Sequence, residues 1–234
     1  MSTQEKGKKK KKPTSRWDAK KIGIVIIGVG FAVIMVVSSL GSGWLLSLNP
    51  AASGDSVVVG VTLYDGMNRP VLTTSSRTFN DSYNAGDMIW MCGQFNMRVN
   101  GTSQKELLSI PCFNYYYGEA EYALFSPEWN TLAMNLQGMR QGESKKVNLP
   151  SLQGFEREMT AEEFDGIGGN FTTVAVGEQI LLAFAENPTV SLDENVTPNY
   201  VIRTGYVTGK TAEGVRVNYA YPMAEISLVQ VNAA

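Results

Sequence analysis

The sequence predicts an α+β protein: short strands of a sheet with one amphipathic helix, preceded by one transmembrane helix. Three observations predict it. Ile22 to Leu40 is a run of 19 residues without a charge, long enough to cross a bilayer. Trp129, Leu132, Ala133, Leu136 and Met139 recur at helical spacing and share one apolar face. Elsewhere the apolar residues fall into short runs bounded by glycine turns, the pattern of strands.

Composition narrows the chemistry. Histidine is absent from the 234 residues, which removes the usual general base, the triads built on it and imidazole metal sites. No metal and no cofactor is expected. Charge is split along the chain. Before Ile22, Lys6, Lys8 to Lys12, Arg16, Lys20 and Lys21 stand against Glu5 and Asp18, while 11 basic and 20 acidic residues follow. A basic flank before an uncharged span holds that end in the cytoplasm. The expectation is a basic cytoplasmic tail (1–21), a transmembrane helix (22–48) and a linker (49–56). The protein is then single-pass in the cytoplasmic membrane, with its N-terminus inside and its C-terminal domain outside. The lysines favour anionic lipid, so membrane lipid is the expected partner of this tail and nucleic acid is not. A cleaved signal peptide, cut near Ala51 to Ser53, is the rival reading. The apolar run continues through Trp44, Leu45, Leu46 and Leu48 and favours the anchor.

An exported domain fits four sequons, at Asn80, Asn100, Asn170 and Asn195. Cys92 and Cys112 are the two cysteines. Outside the membrane they are free to pair, and a loop of about 20 residues would stabilise by roughly 3 kcal/mol.

Taken in order, Val57, Val58, Val59, Val61 and Leu63 predict a first strand, closed by a turn at Asp65-Gly66, and Pro70 to Thr74 predict a second. Ser76 to Phe125 holds both cysteines, a strand around Met88 to Cys92, and the aromatic group Phe113, Tyr115, Tyr116, Tyr117 and Tyr122. Those rings read either as a binding face or as sheet packing, with packing preferred. Ser126 caps the helix that follows and Pro127 fits its first turn. Gly138 and Gly142 end it, and Lys145 to Pro150 read as a strand with Val147 and Leu149 on one face. Met159 to Phe164 reads as a short helix turn. The apolar runs Val174 to Val176, Ile180 to Phe184, Tyr200 to Ile202 and Val215 to Tyr219 come next, parted by turns at Gly177-Glu178 and Thr208-Gly209. They make this stretch β-rich, with no long helix. Ile226, Leu228, Val229 and Val231 supply the closing strand.

The segment Leu136 to Pro150, LQGMRQGESKKVNLP, resembles the L-x-G-M-x-x-G-E-x-K-x-V-x-x-P signature of FKBP-type peptidyl-prolyl isomerases. Asp65-Gly66 stands at the D-G of that family's opening strand pair. Met159 to Phe164, Val176-Gly177 and Val217 to Ala224 are similar, in order, to motifs of the long, flap-containing class. The resemblance spans Val57 to Val231, with Ser76 to Phe125 as one long insertion, and it implies an FKBP-like antiparallel sheet wrapped on one helix (57–158 and 216–234) with an inserted small β-rich flap domain (159–215).

Members of that family lower an amide rotation barrier of about 20 kcal/mol by holding proline in an apolar pocket. Carried over residue by residue, the resemblance puts Val59 at a pocket tyrosine and Leu72 and Thr73 at a Phe-Asp pair. Glu128 and Trp129 fall at the Val-Ile that bind the substrate backbone, and Leu132 at a tryptophan. Phe155 lies nearest the aromatic of an A-Y-G motif, and Leu228 replaces an aromatic. Val59, Leu72, Thr73, Trp129, Leu132, Phe155 and Leu228 are thus candidates for a degenerate pocket, and no catalytic residue is assigned. The expected function is polypeptide binding, as a folding chaperone for exported proteins or as an accessory subunit of a membrane complex. An active prolyl isomerase and a structural subunit of a surface or envelope assembly are the alternatives.

Overall fold

The computed structural model describes residues 19–39, 49–150, 154–185 and 199–232, and the chain divides into two units, Met1–Leu46 and Ser47–Ala234. In the first unit, helix α1 (Ala19–Ser39) takes up the apolar run. Lys20 and Lys21 sit in its first turn, so its uncharged part is Ile22 to Ser39. That part rises about 27 Å, short of a hydrocarbon core of about 30 Å, and three glycines and two serines dilute its apolar content. Among the described residues no helix is long and apolar enough to cross a membrane. The expected transmembrane helix over 22–48 is therefore corrected to a helix ending at Ser39. The single-pass placement, with the N-terminus inside and the C-terminal domain outside, falls with it. The tail 1–18 and residues 40–48 lie outside the described residues.

The second unit opens with a segment that was expected to be a loose linker. Ala51 is instead buried. Its N–H donates to the Met139 carbonyl (2.7 Å), and its carbonyl accepts from Gly138 (2.9 Å). Strand β1 (Ser56–Tyr64) follows, with Val57, Val59, Val61 and Leu63 all at most 2% exposed. Their alternation is what a strand with one buried face requires. Asp65 makes the reversal, its carboxylate accepting the N–H groups of Met67 and Arg69, each at 2.9 Å. Strand β2 (Pro70–Thr73) then returns antiparallel to β1.

Helix α2 (Ser76–Ala85) was not foreseen. Phe79 is its large buried side chain, too narrow an apolar face to give a periodic signal. Its ends carry the signal instead: the Ser75 hydroxyl accepts from Thr78 N–H, and Gly86 closes it at φ 91°. Strand β3 (Trp90–Cys92) runs parallel to β2, β4 (Phe95–Arg98) lies along the start of β1, and β5 (Leu107–Asn114) and β6 (Gly118–Phe125) form a hairpin. Helix α3 (Ser126–Asn135) buries Leu132 and Ala133 as the spacing predicted. Its cap is not Ser126 but Phe125, whose N–H donates to the Glu128 carboxylate (3.0 Å). Gly138 and Gly142 take φ of 81° and 85°, and β7 (Ser144–Asn148) follows. The rest is β8 (Glu156–Thr160), α4 (Ala161–Gly166), β9 (Gln179–Ala185), β10 (Tyr200–Lys210), β11 (Gly214–Asn218) and β12 (Met223–Asn232). Val174 to Val176 is not a strand. The turn expected at Thr208-Gly209 is a register irregularity inside β10.

The twelve strands of the described residues form one sheet, ordered β7-β12-β1-β2-β3-β5-β6-β10-β11-β8, with β4 on β1 and β9 on β10. This corrects the expected fold class, an FKBP-like antiparallel sheet on one helix with a separate flap sheet. Two pairings are parallel, β2 with β3 and β6 with β10, and α2 and α4 join α3 in this unit. The cause is the segment 76–125. Tyr122, Ala123 and Leu124 of β6 are all fully buried, so this strand is covered on both faces, as interior strands are. It continues the sheet into β10 at Tyr122 and Ile202. Buried side chains nevertheless fall into two clusters, a large one around β1, β12 and α3 and a smaller one built on Met159, Phe164, Val174, Leu182, Val207, Val215 and Val217.

Candidate functional site

The seven pocket candidates enter none of the three main clefts among the described residues. Val59 and Leu228 face each other in the β1–β12 register, and with Leu72 and Leu132 they are fully buried in the larger cluster. Thr73 is also buried, its hydroxyl 2.7 Å from that of Thr62. Trp129 stacks on Phe95, ring centroids 5.7 Å apart. Phe155 stands apart from the other six, edge-on to Phe125 at 4.7 Å.

Between the two clusters lies a buried ion pair that the sequence reading missed. Arg203 of β10 is 0% exposed and Glu128 of α3 is 1% exposed. Arg203 Nη2 donates to Glu128 Oε1 (2.6 Å) and Nη1 to Glu128 Oε2 (3.0 Å). Nη1 also donates to the Ala123 carbonyl (3.0 Å), and Nε donates to the Tyr219 carbonyl (2.8 Å). The guanidinium lies 3.8 Å from the Tyr221 ring centroid and 5.4 Å from that of Phe155. Burial alone would lower the guanidinium pKa, but Glu128 and the tyrosines reverse that and hold it above its ordinary value. Tyr221 donates its hydroxyl to the Thr204 carbonyl (2.8 Å) and is hydrogen-bonded to the Tyr122 hydroxyl. Burial pushes the Tyr122 phenol up to about 12, and Tyr221 moves in the same direction for the same reason. Glu128 stands at a position that the resemblance assigns to the proline site, and here it forms a sealed plug with Arg203 and Tyr221. Such a centre has no room for a proline ring.

An open region lies on the other side of β10. Strand β9 pairs with β10 over seven residues, Gln179 opposite Tyr206 to Ala185 opposite Tyr200. Among the described residues β9 has no second strand partner, so one edge of its backbone is available for pairing. Gln179 anchors its start, accepting from Met88 N–H (2.7 Å) and donating to Asp65 (3.4 Å). Arg69, held by Asp65 at 2.8 Å, donates to the Gly177 carbonyl (2.8 Å) and fixes the turn just before β9. A cleft of about 690 Å³ runs along the strand, within the range of ligand-binding cavities. Ile180, Leu182 and Phe184 share one face of β9 and line it, with Met88, Tyr117 and Ile167 at other points of the wall. Ile167 is 51% exposed and Tyr117 is 47% exposed. Arg157, Glu178 and Asn170 supply the polar groups.

Cys92 and Cys112 are both free thiols and stand opposite each other in the β3–β5 register. Asn80 and Asn170 are exposed and Asn100 is half-buried, its side-chain amide donating to Gln137 (2.7 Å). Asn195 lies outside the described residues. The exposed edge of the tyrosine group is Tyr115, Tyr116 and Tyr117, whereas Tyr122 is core. The apolar run Ile180 to Phe184 was the signal for the cleft, and Arg203 inside an apolar run was the signal for the plug. Compared with protein-family models and with curated proteins, the chain matches none.

Proposed function

We propose that this chain binds polypeptides in extended conformation along β9, as a folding chaperone or as an accessory subunit of a larger complex. The open edge of β9 beside an apolar cleft carries the reading. Main-chain groups at an unpaired edge accept an added strand regardless of its sequence, while side-chain hollows select alternate apolar residues. The motif resemblance to prolyl isomerases belongs to the same reading, with Arg203, Glu128 and Tyr221 filling the space their substrate would need.

The test is the affinity of the full chain for a permanently unfolded, fluorescently labelled polypeptide, before and after Ile180→Lys. Ile180 is half-buried, so the lysine can reach solvent while its charge enters the wall of the cleft. Losing one apolar anchor of about 1.5–3 kcal/mol predicts binding weaker by tenfold or more. Unchanged affinity would sink the reading. So would rapid prolyl-peptide isomerisation blocked by an FKBP-directed macrolide. A spread of captured clients favours the chaperone role, and one stoichiometric partner favours the subunit role.

A further inference from the structure

We propose that Cys92 and Cys112 form a reversible dithiol–disulfide site, oxidised by low-molecular-weight disulfides of the glutathione class. The strand register carries the inference. Cys92 lies directly opposite Cys112, and Met91 opposite Phe113, in the antiparallel β3–β5 pair. Residues directly opposite in such a ladder point to the same face with Cα atoms about 4.5–5.5 Å apart, inside the window of about 4.4–6.8 Å that a disulfide requires. Closing the bond needs no change of strand register.

Nothing strong holds the thiols apart from each other. Cys92 donates its S–H to the Thr73 carbonyl (3.5 Å) and Cys112 donates to the Ala120 carbonyl (3.2 Å), both weak bonds of a poor donor. Access comes from outside. Both cysteines, with Gly93, Pro111 and Ala120, line a surface cleft of about 660 Å³, and Gly93 is exposed with no side chain to screen the sulfurs.

The reaction balances in two exchanges. One cysteine gives up its proton and its thiolate attacks a sulfur of the small disulfide, breaking that S–S bond and releasing one small thiol. The second cysteine, as thiolate, then attacks the protein-bound sulfur of the mixed disulfide and releases the second small thiol. Two electrons pass from the protein to the small disulfide, and both protons end on the two released thiols. Burial pushes both thiols up to about 12. The thiolate is scarce at neutral pH, so the first step is slow there and gains about tenfold in rate per pH unit below that value. The second step also needs a thiolate, but it is intramolecular and its sulfur is already in register. The site is a slow switch that covalently ties β3 to β5.

The experiment equilibrates the full chain with glutathione disulfide at alkaline pH. An acid quench, alkylation of residual thiols and peptide mapping without reductant follow. The expected product has lost two hydrogens, carries no glutathione and no alkyl label, and yields one cross-linked peptide joining residues 92 and 112. Dithiothreitol restores the starting mass. Cys112→Ser is expected to stop at a single glutathione adduct on Cys92. Wild-type chain with glutathione on both cysteines, chain-to-chain dimers, or two alkylatable thiols at equilibrium would each overturn the proposal.

Discussion

Strand β10 borders two regions of opposite character. At Arg203 everything is sealed: charge meets charge, each of the three guanidinium nitrogens donates to an acceptor, and aromatic rings close the rest. Along β9, one strand away, an edge has no strand partner among the described residues and lies beside an apolar cleft. Burying an ion pair contributes little net stability, yet it fixes one arrangement strongly because breaking it strands a charge. Leaving an edge open does the reverse, keeping backbone groups available to a partner. The contrast separates stability from binding: substitutions at the first region should unfold the protein, and substitutions at the second should spare the fold and weaken association.

The largest effect is expected from Glu128→Ala. It leaves Arg203 charged and without its carboxylate in a site that excludes water, and it removes the carboxylate that caps α3 at Phe125. A loss of about 3–5 kcal/mol in urea unfolding is expected. Replacing both partners with apolar residues, Glu128→Leu with Arg203→Met, should recover most of that loss. If the single variant unfolds like wild type, the plug is not sealed and the comparison breaks.

Next in size, taken group by group, is alkaline pH. Tyr122 titrates near 12 in the folded chain against about 10 unfolded, so the folded state holds its proton longer. The linked stability is fully present below pH 10 and is lost as pH rises through the folded value, about 3 kcal/mol for this group. Cys92, Cys112 and Tyr221 are raised in the same direction and add to the loss, the cysteines from about pH 9 upward. Unfolding midpoints should be flat near neutrality and fall steeply in this window. A flat profile through pH 11 would contradict the burial of the tyrosine pair. The smallest stability effect belongs to Ile180→Lys, a loss of about 1 kcal/mol because Ile180 is half-buried against the smaller cluster, although it should weaken polypeptide binding most.

Much of this was legible in the sequence where one residue type forces one geometry. Alternating valines gave β1, glycines that must take positive φ gave the Gly138 to Gly142 reversal, and Lys145 to Leu149 gave β7. Residues Ile180 to Phe184 read correctly as an apolar strand. Helix α2 escaped because a single Phe79 is not a periodicity, although Ser75 and Gly86 mark its ends. The transmembrane expectation failed because three glycines and two serines dilute the described helix, which is not long and apolar enough to cross a membrane. The pocket residues failed differently. Sequence identifies Val59, Leu132 and Leu228 as apolar, but whether apolar side chains surround a hollow or fill it depends on partners far along the chain. Arg203 is the sharpest case: alone among apolar neighbours it reads as a solvent-facing strand position, and its carboxylate lies 75 residues away.

The central claim is that the open edge of β9, and not the region around Arg203, receives a polypeptide. Hydrogen–deuterium exchange of the full chain, with and without a saturating unfolded polypeptide, tests it most directly. Backbone amides that point to the free edge of a strand exchange readily, and pairing with an added strand protects them. The account predicts new protection concentrated in 179–185, with residues around Arg203 and Glu128 equally protected in both states. New protection around Val59, Trp129 and Tyr221, with none in β9, would contradict it.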